Sequence, residues 1–325
     1  TGEGEDWELT SSQILPNFFG VIHQLGPGKI GFSYAVLDSL MRRQEQTFYN
    51  IKSSMPGVSI DRYVLNIDDI DNVYNIGPSY GLSLSKDLSI GLTLYFHYRD
   101  GKIIRNHLVN LSNGEFEWTN YYLTWTEYGI RPILGIMYSP LDKVSVGLTF
   151  SKTFIMHSDK KAQETYRGPS SMGYGVNDVD FSKIESGQKP DLPLKTTLGI
   201  AYFPSPAFLV SADLSYYTEV EDREVLINGA IGAEYYLSPS FALRAGLFTD
   251  LANTPSLKRG YTNQPEHIDN YGMSLSGTYF TKNSSLTLGI IYTYGTGEAQ
   301  VITGSPAIQD AEINSLTVFI GGGYS

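Results

Sequence analysis

The chain has 325 residues, only 18% of them charged, and a net charge of -11. That length suits one large domain or two ordinary ones, and the acidic balance excludes the basic stripe that a nucleic-acid partner requires. There is no cysteine, which excludes disulfides and thiolate metal sites.

No stretch approaches the ~20 apolar residues of a membrane-spanning helix. Yet 33 glycines and 24 tyrosines, with a mean hydropathy of -0.16, suit a membrane β-barrel, whose apolar signal is diluted by alternation. In chain order, residues 1–13 are polar and acidic and read as an exposed loop. Residues 16–24 are extended and 25–28 turn. Ile30, Phe32, Tyr34 and Val36 then alternate with Gly31, Ser33 and Ala35. Residues 38–61 are expected as a long connection, in which Leu37, Leu40, Met41 and Phe48 form one stripe of a short amphipathic helix. An acidic loop at Asp68, Asp69 and Asp71 follows. It lacks the glycine and distal Glu of an EF-hand, so solvation is the expectation rather than calcium.

Beyond residue 74 one grammar repeats: an alternating strand, a Tyr, a short polar turn, then an apolar-small-apolar upstroke. The turns fall at 85–87, 139–143, 203–206, 237–240 and 281–284, and the upstrokes at 89–93, 145–149 and 287–291. The clearest hairpin is 229–250. Ile227, Ile231, Tyr235 and Leu237 share one face before its turn, and Phe241, Leu243 and Leu247 share one after it. The connections at 38–61, 100–115, 151–193, 251–266 and 299–311 are long instead. Short turns at one end and long loops at the other describe an up-and-down barrel of the bacterial outer membrane.

The expected fold is therefore all-β, a transmembrane up-and-down antiparallel β-barrel spanning residues 1–325 as one domain. Thirteen strands are visible, and fourteen are expected in the complete protein, because such barrels have even strand numbers and both termini in the periplasm. Tyr80, Tyr138, Tyr202, Tyr235 and Tyr279 would lie at one bilayer interface. Tyr121, Tyr122, Trp125, Tyr216, Tyr292 and Tyr294 would lie towards the other.

Residues 198–206, 211–216, 232–239 and 243–250, with Thr254 and Pro255, and more loosely 132–140, resemble the FadL-type outer-membrane transporters of long-chain fatty acids and other hydrophobic compounds, the aromatic-hydrocarbon channels included. The resemblance spans most of the chain and is densest over 190–256. It implies fourteen strands with an N-terminal hatch, here expected upstream of residue 1, and passive uptake of hydrophobic small molecules. It also implies a wall opening at a kinked third strand, which maps to Gly31, Ser33 and Ala35. No Asn-Pro-Ala-type hatch motif is present, so gating residues are not mapped.

Phe19, Val21, Leu37, Tyr95, Ile133, Phe248, Ile291 and Phe319 fall on expected lumen faces, where they would line an apolar cargo site or pack under a plug. Arg131, Asp213, Glu234 and Arg244 are expected lumen charges. The last three read first as an ion-pair ladder bracing the barrel, and second as placing Arg244 beside a passing carboxylate. Leu40, Met41 and Phe48 could offer external capture. The five histidines show no ligand spacing, and there is no HExxH, Gly-x-Ser-x-Gly or phosphate-binding loop. No metal, cofactor or enzymatic activity is expected. The expected partners are hydrophobic cargo, outer-membrane lipid and lipopolysaccharide, with room for a protein at the external loops. Two rivals stand beside uptake: a protein-interaction barrel like the shuttle component of type IX secretion, and an outer-membrane enzyme.

Overall fold

The computed structural model describes residues 10–52, 57–168, 179–262, 264–300 and 307–324, and among them every element is a strand. These are β1 (Phe18–Leu25), β2 (Gly28–Lys52), β3 (Ser59–Ser83), β4 (Leu88–Leu111), β5 (Phe116–Leu141), β6 (Val144–Ser151), β7 (Phe154–Arg167), β8 (Asp180–Ser186), β9 (Lys195–Ser205), β10 (Phe208–Tyr217), β11 (Leu226–Ser238), β12 (Phe241–Asp250), β13 (His267–Phe280), β14 (Ser284–Ala299) and β15 (Gln309–Tyr324). One continuous antiparallel path runs β1–β6 and then β9–β15, thirteen strands in all. They are the thirteen that the turn grammar marks. β7 pairs with the far half of β5, and β8 pairs with β7. Among the described residues β1 and β15 pair on one side only. In an antiparallel path of thirteen, the first and last strands run in the same direction, so these two edges can meet only as a parallel pair or through an intervening antiparallel strand.

The faces follow from register, because directly opposed residues share a side. One face carries Ile30, Phe32, Tyr80, Leu92, Leu134, Ile231, Leu275, Leu288 and Ile320, all large, apolar and exposed. This is a lipid-facing band. All five tyrosines expected near the short turns lie on it, exposed: Tyr80, Tyr138, Tyr202, Tyr235 and Tyr279. A second row closes the band above. Tyr34, Tyr74, Tyr98, Tyr128 and His157 stack ring on ring across β2–β5 and β7, with centroids 5.2–6.3 Å apart. On β5, Tyr128 and Tyr138 are ten residues apart. That is ~33 Å along the strand, or ~25 Å along the normal at a tilt near 40°, the height of an outer-membrane apolar band. Tyr121 and Trp125 were expected in the upper row. The register puts them on the inner face instead, opposite Arg105 and Gly101.

The wall has uneven height. β9–β12 have 10–13 residues, while β2–β5 have 24–26. The latter reach ~85 Å, although about ten residues cross a bilayer. This corrects three expectations. Residues 38–61 form no helix, 100–115 form no long loop, and Asp68, Asp69 and Asp71 belong to a strand rather than an acidic loop. The strands continue because their polar residues pair across the ladder. On the outer face Asp68 takes Lys102 and Arg43. On the inner face Asp69 takes Arg105 and Asp71 takes Arg99. Phe48 belongs to no helical stripe either; it stacks on Tyr63 at 5.8 Å.

Candidate lumen site

The inner face of β2–β5 is polar. The Tyr95 hydroxyl reaches over β3 to the Ser33 hydroxyl, 2.7 Å away. One row higher, His97 Nδ1 lies 3.1 Å from Asn75 Oδ1, and both side chains are buried. Above them Arg99 donates from Nε and Nη2 to the Asp71 carboxylate at 2.9 and 2.7 Å. It also lies 3.5 Å from buried Glu127 and 5.6 Å above the Trp125 ring. Sequence reading missed this cluster, although the parity of Tyr95, His97 and Arg99 on β4 contains it.

β12–β15 present a different inner face. The Phe248 ring lies on Gly272, where an added Cβ would fall 2.0 Å from it. Phe319 lies on Gly289 in the same way, with 2.3 Å for the added Cβ. Glycine at both positions makes the space that turns each ring flat against the wall. Ile291 shares this face, opposite Ser274 and Thr317. Arg244 Nε donates to Glu234 at 2.7 Å, and Nη1 donates to the Thr278 hydroxyl.

Of the expected lumen residues, Tyr95, Ile133, Phe248, Ile291 and Phe319 lie on the inner face, as do Arg131, Asp213, Glu234 and Arg244. Phe19 and Val21 do not. They oppose Tyr34 and Phe32 and share the lipid face, while Phe18, Gly20 and Ile22 turn inward. Both faces of β1 are apolar, so its phase is set only by pairing with β2. Leu37 belongs to neither face. It is the extra residue of a bulge, since Val36 opposes Tyr74 and Asp38 opposes Val73. The bulge shifts the parity beyond it, so Leu40 and Phe48 turn inward and Met41 outward. The three do not form one capture stripe. The ladder of Glu234, Arg244 and Asp213 reduces to its first pair, because Asp213 makes no ion pair among the described residues.

Gly31, Ser33 and Ala35 are paired on both sides, to Ile22, Gly20 and Phe18 on β1 and to Ser79, Gly77 and Asn75 on β3. The wall is not open at them. It is interrupted nearby instead, at the Leu37 bulge and between β3 and β4, where Gly77 and Pro78 have no partner in register. Proline supplies no N–H to that ladder.

Above the tyrosine row, His107 is buried with its Nδ1 2.8 Å from the Tyr63 hydroxyl. Burial, and then Arg105, lower its pKa to about 4. Burial, and then Glu117, raise Tyr63 to about 12. The mouth beside this wall is bridged. Arg42 on β2 pairs with Glu266 just before β13. Arg223, between β10 and β11, donates to Asn253 between β12 and β13 at 3.2 Å.

The fold is that of the FadL-type outer-membrane transporters. A solved Pseudomonas aeruginosa FadL homologue superposes with a TM-score of 0.59 at 12% identity, covering 94% of this chain and 76% of its own. The monoaromatic hydrocarbon channel CymD gives 0.58 at 14% identity, with 95% and 82% covered. The Pseudomonas putida toluene transporter TodX gives 0.56 at 16% identity, with 93% and 81% covered. No family model and no curated protein sequence matches the chain.

Proposed function

We propose that the protein is an outer-membrane channel through which hydrophobic small molecules enter passively. The observation that carries this reading is the inward face of β12–β15, where Phe248 and Phe319 lie flat over glycines beside Ile291. Rings exposed to a lumen are misplaced in a water-filled pore and suited to apolar cargo. The solved relatives of this fold are named as toluene and monoaromatic hydrocarbon transporters, which supports transport over catalysis. In this reading cargo passes from the rim, where Leu40 offers a first contact, to the Phe248–Phe319 wall. It leaves sideways near the Leu37 bulge and the Gly31, Ser33 and Ala35 segment. Lipid and lipopolysaccharide surround the barrel in this reading. The deciding experiment is toluene and oleate uptake by cells carrying the protein, against Phe248→Ala/Phe319→Ala. Wild-type uptake in the folded double variant would overturn the reading.

A second reading, a barrel that binds a protein at its outer face, is favoured by one observation: the packed polar inner face at Asn75, His97 and Glu127. Co-purification of a stoichiometric protein, with no uptake activity, would select it.

A further inference from the structure

We propose that the lumen holds a seat for a small organic cation, an ammonium carried on one aromatic ring or a short alkyl body, on the inner face of β9–β12. A cavity of about 270 Å³ opens there, lined among others by Lys195, Asp213, Tyr217, Asn228, Phe248 and Asp250. The register explains why these converge. Asp213 opposes Ala230, which opposes Phe248, and two residues along Asn228 follows Ala230 and Asp250 follows Phe248. Lys195 and Tyr217 oppose each other at the top of β9 and β10.

Three features define the ligand. First, Asp213, exposed on the inner face, has no ion-pair or hydrogen-bond partner for its carboxylate among the described residues, and Asp250 has no hydrogen-bond partner there and only the charge of Lys195 nearby. Elsewhere on the inner face the carboxylates of Asp69, Asp71 and Glu234 each have an arginine. Secondly, aromatic faces flank the carboxylates. The Lys195 ammonium stands 5.2 Å from the centroid of the Tyr217 ring, so the seat already holds one cation on a π-face, and Phe248 supplies a second ring. Thirdly, Asp213 is held rather than free. A Cβ at Gly199 would fall 2.4 Å from Asp213 Oδ1, so the carboxylate occupies the space of a missing side chain on the neighbouring strand. Two carboxylates beside aromatic rings complement an organic ammonium. The volume lies just below the usual range for ligand sites and suits a single ring. Lys195 is the one lining cation able to receive an anion, so an anionic probe belongs in the test.

This site does not depend on the cargo reading. The experiment is calorimetric titration of the purified full chain in detergent with benzylamine, benzoate and toluene, at low and at 0.5 M salt. Benzylamine is expected to bind more tightly than toluene, and more weakly at high salt. Asp213→Asn and Asp250→Asn should each weaken benzylamine about tenfold and leave toluene unchanged. Heat-dependent gel migration reports the folding of each variant. Should a variant not fold, Gly199→Ala tests the same seat by displacing the Asp213 carboxylate without removing its charge, and must also weaken benzylamine. Equal binding of benzylamine by wild type and folded variants, or tighter binding of benzoate, would overturn the proposal. Absence of toluene uptake by the wild-type protein, with benzylamine binding intact, would sink the hydrocarbon reading alone.

Discussion

The Tyr95 hydroxyl on β4 meets the Ser33 hydroxyl on β2 at 2.7 Å, passing over Gly77 on the strand between them. This tie spans the stretch where the β3–β4 pairing is interrupted at Gly77 and Pro78, with the same register on either side. Tyr95→Phe removes the tie and should lower unfolding stability by about 1 kcal/mol. Gly77→Ala should do more, by about 1–3 kcal/mol, because its Cβ would fall 2.2 Å from the Leu94 carbonyl oxygen, which is backbone and cannot swing aside. Urea unfolding in micelles ranks the two; equal effects would contradict this account.

The aromatic wall gives a prediction about cargo. Gly289→Leu places a side chain where the Phe319 ring lies and 2.6 Å from the Ser276 Cβ on β13, and should displace the ring into the lumen with a local shift of the β13–β14 ladder. Toluene uptake should fall several-fold while heat-modified migration on gels stays that of the folded barrel.

Gly31 faces inward with ordinary van der Waals space around an added Cβ, its nearest neighbour being the Val21 carbonyl oxygen at 3.4 Å. Gly31→Trp should therefore fold and obstruct the lumen side of β2. Unchanged uptake of labelled oleate or toluene would count against a route past this segment.

His107 makes stability depend on pH in a stated direction. Its pKa is lowered to about 4 by burial, against ~6.5 in the unfolded chain. Between those values the unfolded state binds the proton and the folded state does not. Stability is therefore complete above about pH 6.5 and is lost as the pH falls towards 4, by at most about 3 kcal/mol. His107→Gln should flatten that part of the profile, and a proton titration of His107 by NMR above pH 6 would contradict it.

The Arg42–Glu266 pair joins the tall wall to the β12–β13 connection while both side chains remain partly exposed. Such pairs contribute about 0–1 kcal/mol, so Arg42→Ala should barely move global stability. It should instead speed amide exchange over residues 251–266, and Arg42→Glu with Glu266→Arg should restore protection.

The barrel was legible because the lipid face and the short turns impose a strict pattern. Apolar outward positions and a Ser, Pro or Asp turn recur at each hairpin, as at 229–250. The upper halves of β2–β5 were not legible, because they stand above the lipid band and mix polar and apolar residues on both faces, as Asp69 beside buried Leu65 and Ile67 shows. Asp68, Asp69 and Asp71 look like a loop until Lys102, Arg105 and Arg99 are brought beside them from 28 to 36 positions away. Inner-face assignments held where one face was plainly apolar, as for Phe248, Ile291 and Phe319. They failed at Phe19 and Val21, where both faces are apolar, and at Leu37, where a bulge resets the phase that local alternation assumes.

The uneven wall divides the chain into two regimes of tolerance. Within the tyrosine-bounded band every backbone group needs a protein partner, so a broken ladder there is a lesion. Above it, water satisfies any edge, which is why β8 can pair on one side only among the described residues. The tip of the β4–β5 hairpin is therefore free to change length without threatening the barrel beneath it. Insertions, antigenic change and receptor grafts belong at residues 112–115, four connecting positions that stand far from lipid.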